Sequence, residues 1–387
     1  MELKTKYGEV KIFAKTIEEK ALSQIINFAN SPLGENSHIR IMSDCHAGAG
    51  CVIGTTMKIT DKICPNLVGV DIGCGCNLVK TNINFSKRLK ELDNIIRTCI
   101  PYGMNVHSNE ISYDFSQLRC WENLQKDTQN LSQYSLGTLG GGNHFIEAYE
   151  NGYISVHSGS RNIGYKVAEY YQKLAIKEIE QYNHSILIEQ LKSITPINRE
   201  NWLKTNKISI DRELCYLKNF TMEDYLHDIE IIQQFAVDNR KHILNTIIDK
   251  MNGKILSQIT SIHNYIDTNN MILRKGAISA QKDEMLVIPL NMRDGLLICK
   301  GKGNEDWNYS APHGAGRLYS RSKAKETFTV EQFQKAMEGI YSSCINSSTL
   351  DEAPFAYKDY QEIMECIEPT VEILKRIIPI YNFKSDN

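Results

Sequence analysis

The chain has 387 residues, 42% hydrophobic and 23% charged, with 44 Lys and Arg against 46 Asp and Glu and a formal charge of -2. Such proportions belong to globular proteins and exclude a disordered or collagen-like chain. The near-neutral balance argues against a protein that coats nucleic acid over its whole surface. Polar interruptions such as Asn291, Arg293 and Asp294 within 285–299 argue against a membrane span.

The opening MELKTKYGEVKIFAKT has no apolar leader core and reads as a strand or two. Thr16 and Glu19 then form a capping-box pattern ahead of Ala21, Leu22, Ile25, Ile26 and Ala29 at helical spacing, which predicts a first helix. From Ile39 to Val79 short apolar runs split by Gly predict buried strands joined by tight turns. Residues 80–135 read as polar helices and loops. Amphipathic spacing through Val167, Tyr170, Tyr171 and Leu174, and again through Tyr225, Ile229, Ile232 and Phe235, predicts a mainly helical excursion at about 164–260. Strands return at 285–299, Thr329 and Gln332 offer another capping box, and the chain is expected to end in helical pieces broken by Pro369 and Pro379. With no internal repeat, low-complexity run or linker, the expectation is an α+β protein: a single compact domain over 1–387, of mixed β-sheets with surrounding helices. Eleven Cys without a disulfide-scaffold spacing read as reduced thiols, and hence a cytoplasmic protein.

Of ten His, five (His46, His144, His157, His263 and His313) sit in short Gly- or Asn-containing loops beside apolar strands. Asp71 and Cys74, in VGVDIGCGCNL, put a carboxylate and a thiol within one turn, a pair able to share or bridge metal ions. Alternatively, Cys74 and Cys76 are small core residues and Asp71 caps a turn. No paired CxxC exists for a zinc ribbon. Cys, His and Asp together suit a borderline transition metal at a catalytic site. SGSRNIG ahead of a helix offers backbone N–H groups and Arg161 to an anion, although the GK[ST] ending of a Walker loop is missing. HGAGR joins His313 to Arg317 inside 300–325, where Lys300, Lys302, Arg317, Arg321, Lys323 and Lys325 outnumber Glu305 and Asp306. His313 could act there as a nucleophile toward phosphorus, a metal ligand or a general acid.

Taken in order, D-x-x-C, GNHF-x-E, VH-x-GSR, HN, RKGA, HGAGR and DEAP-x-AYK resemble the RtcB family of RNA-splicing ligases from about Ile41 to Lys384. The resemblance implies an RtcB-like fold and a GTP- and Mn2+-dependent ligase joining RNA 3′-phosphate or 2′,3′-cyclic phosphate ends to 5′-hydroxyl ends. It implies two manganese ions on Asp71, Cys74, His144, His157 and His263, with Cys74 shared, and His313 as the residue that becomes guanylylated. Asn143, His144, Phe145, Ile146, Glu147, His263, Asn264, Pro289, Leu290, Asn291, Met292, His313, Gly314, Ala315, Gly316, Tyr357 and Lys384 would line the guanine nucleotide pocket.

RNA ends, from tRNA halves or damaged RNA, would lie along Arg161, Arg274, Lys275, Arg317, Arg321, Lys323 and Lys325, with Arg161 and Arg317 the main contacts. An archease-like activator is a further implied partner. Departures from the family are PLNMRDG at 289–295 in place of a PGSMG-type loop, Leu296 in place of a serine, and GKGNEDWNYSAP before HGAG, whose Trp307 and Tyr309 are expected to pack. SDCHAGAG adds Asp44 and His46 as near-site residues without a role. Rival readings are a dinuclear metal phosphodiesterase or nuclease without covalent guanylylation, and a non-catalytic module that binds RNA ends.

Overall fold

The computed structural model describes residues 1–206 and 208–385. A hairpin of β1 (Glu2–Thr5) and β2 (Gly8–Ile12) opens the chain, and α1 (Glu19–Ala29) carries it to β3 (Arg40–His46), which runs parallel to β2. Parallel neighbours cannot be joined by a tight turn, so α1, which buries Ala21, Ile25, Phe28 and Ala29, serves as the crossover. Next come β4 (Ile53–Lys58), β5 (Gly75–Thr81), α2 (Leu89–Cys99), α3 (Lys126–Ser132), β6 (Phe145–Tyr149) and β7 (Tyr153–Ser158). Three helices follow: α4 (Arg161–Lys192), α5 (Arg199–Thr205) and α6 (Asn219–Lys250). Strands β8 (Ile255–Ile262), β9 (Asn264–Asp267), β10 (Ile272–Lys275), β11 (Ala277–Ser279), β12 (Met285–Asn291), β13 (Gly295–Gly301) and β14 (Ser310–Pro312) come next. The chain closes with α7 (Arg321–Thr327), α8 (Val330–Ala336), α9 (Tyr360–Ile367), β15 (Val371–Ile377) and β16 (Pro379–Lys384).

The strands form sheets ordered β1-β2-β3-β4-β10-β9, β16-β6-β7-β5-β8, β12-β13-β15 and β11-β14, an α+β architecture. The five-stranded sheet is covered on both faces. Val79, Ile146, Ile154 and Val156 pack with Ile243, Leu244 and Ile247 of α6, while Cys76, Leu78, Phe145 and Tyr149 pack with Val287, Leu296 and Ile298 of β12 and β13. Strand alternation makes both contacts possible, since successive side chains leave opposite faces. Helix α6 is buried from Met222 to Ile248, whereas the last buried residue of the equally long α4 is Ala175, so its outer half stands clear of the core. Among the described residues no helix is long and apolar enough to cross a membrane.

Two local expectations fail. Helix α1 starts at Glu19 behind an extended Glu18, with no side-chain cap, so Thr16 lies too far upstream to form its box. Thr329 and Gln332, by contrast, cap α8 reciprocally. The carboxy-terminal segment after α9 is not helical but forms β15 and β16. Val371, Ile373 and Ile377 are β-branched, and Pro379 occupies the first position of β16, where a missing N–H is tolerated.

Candidate active site

Because β5, β6, β7, β8 and β16 pair antiparallel, the starts of β5 and β6 and the ends of β7, β8 and β16 meet at one edge of the sheet. Cys74 stands just before β5, His144 just before β6, and His263 just after β8. His157 lies near the end of β7, opposite Cys76 and Phe145, and Lys384 ends β16 opposite Phe145. Asp71 joins them through a tight turn in which the Cys74 N–H donates to the Asp71 carbonyl at 3.2 Å. Gly140, at φ +87, leaves room for the rings and the guanidinium beside it: a Cβ there would stand 2.8 Å from His144 Nδ1 and strike the Arg161 guanidinium.

The sequence-separated donors converge. Cys74 Sγ lies 3.5 Å from His144 Nε2 and 3.2 Å from His157 Nε2, and these three donor atoms all lie within 4.8 Å of one another. His157 Nε2 is 3.3 Å from His263 Nε2, and His144 Nε2 is 3.0 Å from Asp71 Oδ2. The protons can be assigned from the partners. His144 Nδ1 faces the Leu139 carbonyl at 2.8 Å and His157 Nδ1 the Asn143 carbonyl at 3.2 Å, and a carbonyl only accepts. Each ring therefore carries a hydrogen on Nδ1 and turns its Nε2 inward. Burial pushes the His157 and His263 rings well below the ordinary imidazole range, assisted by neighbouring rings, so both stay neutral at pH 7. Burial also pushes the Cys74 thiol well above its usual range, with Asp71 adding to the effect.

With its hydrogen on Nδ1, a neutral His144 faces the Asp71 carboxylate oxygen lone pair to lone pair, a repulsion that a bound cation would relieve. Cysteine, imidazole and carboxylate donors fit a transition metal. They fit the group that the resemblance implies.

His313 follows β14, its ring centroid 4.8 Å from that of His263, which in turn contacts His157, so that His263 links the other two in a chain of rings. Its Nδ1 lies 2.7 Å from Oδ2 of Asp44, a fully buried carboxylate on β3, in ion-pair range but not aligned as a hydrogen bond, and neither Asp44 carboxylate oxygen has a hydrogen-bond partner among the described residues. The main-chain carbonyl of the same Asp44 accepts from His46 Nδ1 at 3.1 Å. Both imidazoles border a cleft of about 380 Å3.

Asn143, Phe145, Glu147, His157, His263, Pro289, Leu290, Asn291, Gly314, Ala315, Gly316, Arg317, Tyr357 and Lys384 also line this cleft. Four residues expected in the nucleotide pocket lie elsewhere. Ile146 leaves the opposite face of β6 into the α6 core, and Met292 packs with Phe333, Met337 and Leu350. His144 is turned to the metal donors, and Asn264 accepts from the Gly276 N–H at 3.0 Å. Leu296 is buried in the β12–β13 core. His46, from SDCHAGAG, and Arg321, from the basic stretch, also line the cleft, and Glu18, Tyr319 and Ser320 do so without any sequence signal.

At the other end of the cleft, buried Glu352 gathers the DEAP-x-AYK segment. It accepts from Lys384 Nζ at 2.7 Å, Tyr357 OH at 2.6 Å and Arg317 Nη1 at 3.1 Å. Burial alone would raise this carboxyl, but Lys384 and then Arg317 outweigh burial and hold it below the usual range. Replacing Lys384 by Met leaves the carboxylate short of a partner and is expected to destabilise the fold by about 3 kcal/mol. Urea unfolding checks this, with most of the loss recovered in the Lys384→Met, Glu352→Gln double variant.

The basic stretch is less open to anions than its sequence implied. Lys300 pairs with Asp283, Lys302 with Glu368, Lys325 with Asp351 and Arg317 with Glu352, which leaves Arg321 and Lys323 each with one ion-pair partner among the described residues, Asp351 and Glu326, both at 3.9 Å. Arg274 and Lys275 are buried and cannot line an RNA path. Arg274 donates to Ser310 and Tyr265, and Lys275 to the carbonyls of Ala49 and Asn66. Arg161, at φ +58, donates to Thr138 Oγ1 and the Gly103 carbonyl, each at 2.9 Å. Trp307 packs as expected, stacked on Phe13 with centroids 3.6 Å apart.

Comparison with known proteins agrees with this arrangement. The family model described as tRNA-splicing ligase RtcB matches residues 24–123 and 115–385. RNA-splicing ligase RtcB of Escherichia coli K12 is 31% identical over 417 aligned positions, covering 96% of each chain. The tRNA-splicing ligase RtcB of Aeropyrum pernix is 27% identical, covering 93% of this chain and 90% of its own. That of Methanococcus maripaludis is 24% identical, covering 91% and 88%. With its donor cluster, its cleft and near full-length matches, this chain belongs to the RtcB family.

Proposed function

We propose that the chain is an RNA ligase that joins a 3′-phosphate or 2′,3′-cyclic phosphate end to a 5′-hydroxyl end, using GTP and two manganese ions. The observation that carries this reading is His313, its Nδ1 against buried Asp44, one ring from a cluster of inward-facing lone pairs. Asp71, Cys74, His144, His157 and His263 would hold the metal. When bound, it would neutralise charge on phosphate oxygens as a Lewis acid.

Asp44, its carboxylate 2.7 Å from His313 Nδ1, would favour the hydrogen on that nitrogen and leave Nε2 to attack the α-phosphorus of GTP, with pyrophosphate departing. The RNA 3′-phosphate then takes GMP from His313 to give an RNA-ppG end. A 5′-hydroxyl attacks that end, and GMP leaves. Arg317 and Arg321, both on the cleft wall, would bind phosphate charge, and RNA contacts of this kind weaken with salt. Eleven cysteines without a disulfide-scaffold spacing suit the reducing cytoplasm. Incubation with a 2′,3′-cyclic-phosphate RNA, a 5′-hydroxyl RNA, GTP and Mn2+ tests the reading. Joined product is expected, and a hydrolysed 3′ end without joining would contradict it.

Glu147 is the base-recognition residue in this reading. Burial pushes its carboxyl up to about 7, partly offset by Tyr149, Lys384 and Asn382. As a carboxylate it accepts from the N1–H and amino group of guanine. A raised acid loses stability as pH climbs from its unfolded value of 4.5 toward 7, by up to about 3 kcal/mol once ionised. Guanine nucleotide affinity therefore rises between pH 6 and pH 8 while the free protein loses stability. Glu147→Gln is expected to raise thermal stability at pH 8 and weaken GMP binding about 10-fold or more, as calorimetry would show.

A further inference from the structure

In the proposed reaction, two nucleophiles carry no removable proton or need not lose one: the His313 ring nitrogen and the anionic RNA 3′-phosphate. Two others are O–H groups: the water that opens a cyclic phosphate and the 5′-hydroxyl that seals the junction. Both must lose a proton as the O–P bond forms, and general bases for such steps sit within hydrogen-bond reach in the same cavity. His313 cannot serve in any step in which its Nε2 carries the nucleotide, whereas His46, which carries none, is available in all of them.

We propose that His46 is the proton acceptor for the steps whose nucleophile is an O–H group. This rests on the ligase reading above. His46 borders the same cleft as His313 and Arg317. Its Nδ1 donates to the Asp44 carbonyl at 3.1 Å, which fixes its hydrogen on that nitrogen and leaves a lone pair on Nε2. Asp44 thus touches two imidazoles at once, its carboxylate 2.7 Å from His313 Nδ1 and its main-chain carbonyl bonded to His46.

The groups around His46 are Asp44 and Cys45 on its own strand, His313 and Arg317 from the loop after β14, and Glu18 across the cleft. Burial lowers the affinity of the ring for a proton, the Asp44 carbonyl opposes this, and His313 and Arg317 add to the lowering. The neutral base is therefore the resting form at pH 7. In the sealing step the O5′–P bond forms, the P–O bond to GMP breaks with its electron pair leaving on GMP, and the O5′ proton passes to His46 Nε2. The imidazolium then returns its proton to solvent or to departing GMP.

The test separates the steps in the Mn2+-loaded full chain, comparing wild type with His46→Ala and His46→Gln. Label transfer from α-labelled GTP to protein, and from protein to an RNA 3′-phosphate, is measured beside two O–H steps: joining of a preformed RNA-ppG end to a 5′-hydroxyl RNA, and opening of a cyclic phosphate. Both O–H steps are expected to slow by about 100-fold, while both label transfers change by less than about 3-fold. Their rise with pH should flatten in the variants, and added imidazole should restore part of the rate in His46→Ala. Equal losses in all four steps would reduce His46 to a prop for Asp44, and unchanged joining would remove it from the chemistry. Either result overturns the proposal. A wild-type chain that takes no label from GTP and joins no preformed end would sink the ligase reading itself, a different outcome from any of these.

Discussion

Replacing Cys74 by Ala is expected to empty the metal cluster and to lower RNA joining by at least about 1,000-fold, the scale of several kcal/mol of lost charge stabilisation. Cys74 Sγ stands within 3.5 Å of His144 Nε2 and His157 Nε2, so its removal takes away the donor the two rings share. Elemental analysis after dialysis against Mn2+ should find metal on the wild type and a deficit on the variant. Mn2+ should raise the melting temperature of the wild type and not of Cys74→Ala, because only a folded chain with its donors intact gains binding free energy. The thiol, raised by burial, must lose its proton to bind, so metal uptake releases protons and weakens as pH falls. Such donors hold zinc more firmly than manganese by intrinsic affinity, and competition between the two is expected to favour zinc.

Asp44→Asn carries the second large effect. The carboxylate stands 2.7 Å from His313 Nδ1 and would favour a hydrogen there, whereas an Asn amide can turn its NH2 toward the ring and push the hydrogen to Nε2. That tautomer has no lone pair for phosphorus. A loss of about 1,000-fold in the guanylylation rate is expected, with metal content and circular dichroism unchanged. Because the substitution also removes a buried charge, the variant should be at least as stable as wild type in urea. A rate close to wild type would mean that another group orients His313.

Elements with strong local patterns were legible before any coordinates. The Gly-split strands of 39–79 were read from apolar runs, α8 from its capping box, and the five loop histidines from their surroundings. All five lie at or beside one site, because loops at a common sheet edge are brought together by pairing that individual sequence segments do not reveal. Where the reading failed, the cause was a partner distant in sequence. Pro369 and Pro379 looked like helix breaks, but the strands between and after them are set by pairing with β13 and β6.

Composition made 300–325 look basic, since Glu368 and Asp351, which neutralise Lys302 and Lys325, come later in the chain. Arg274 and Lys275 looked like RNA contacts for the same reason, and their burial against carbonyls and hydroxyls is a tertiary property. Ile146 is the exception that local reasoning could have avoided. Between Phe145 and Glu147 on a strand, it had to face the other way.

The central claim is that His313 becomes covalently guanylylated, and the most direct measurement incubates the Mn2+-loaded chain with α-labelled GTP and resolves it on a denaturing gel. Wild type is expected to retain label through an acid-labile, alkali-stable phosphorus–nitrogen bond, and His313→Ala to retain none. Label persisting on His313→Ala, or absent from a wild-type chain shown to hold its metal, would contradict the account.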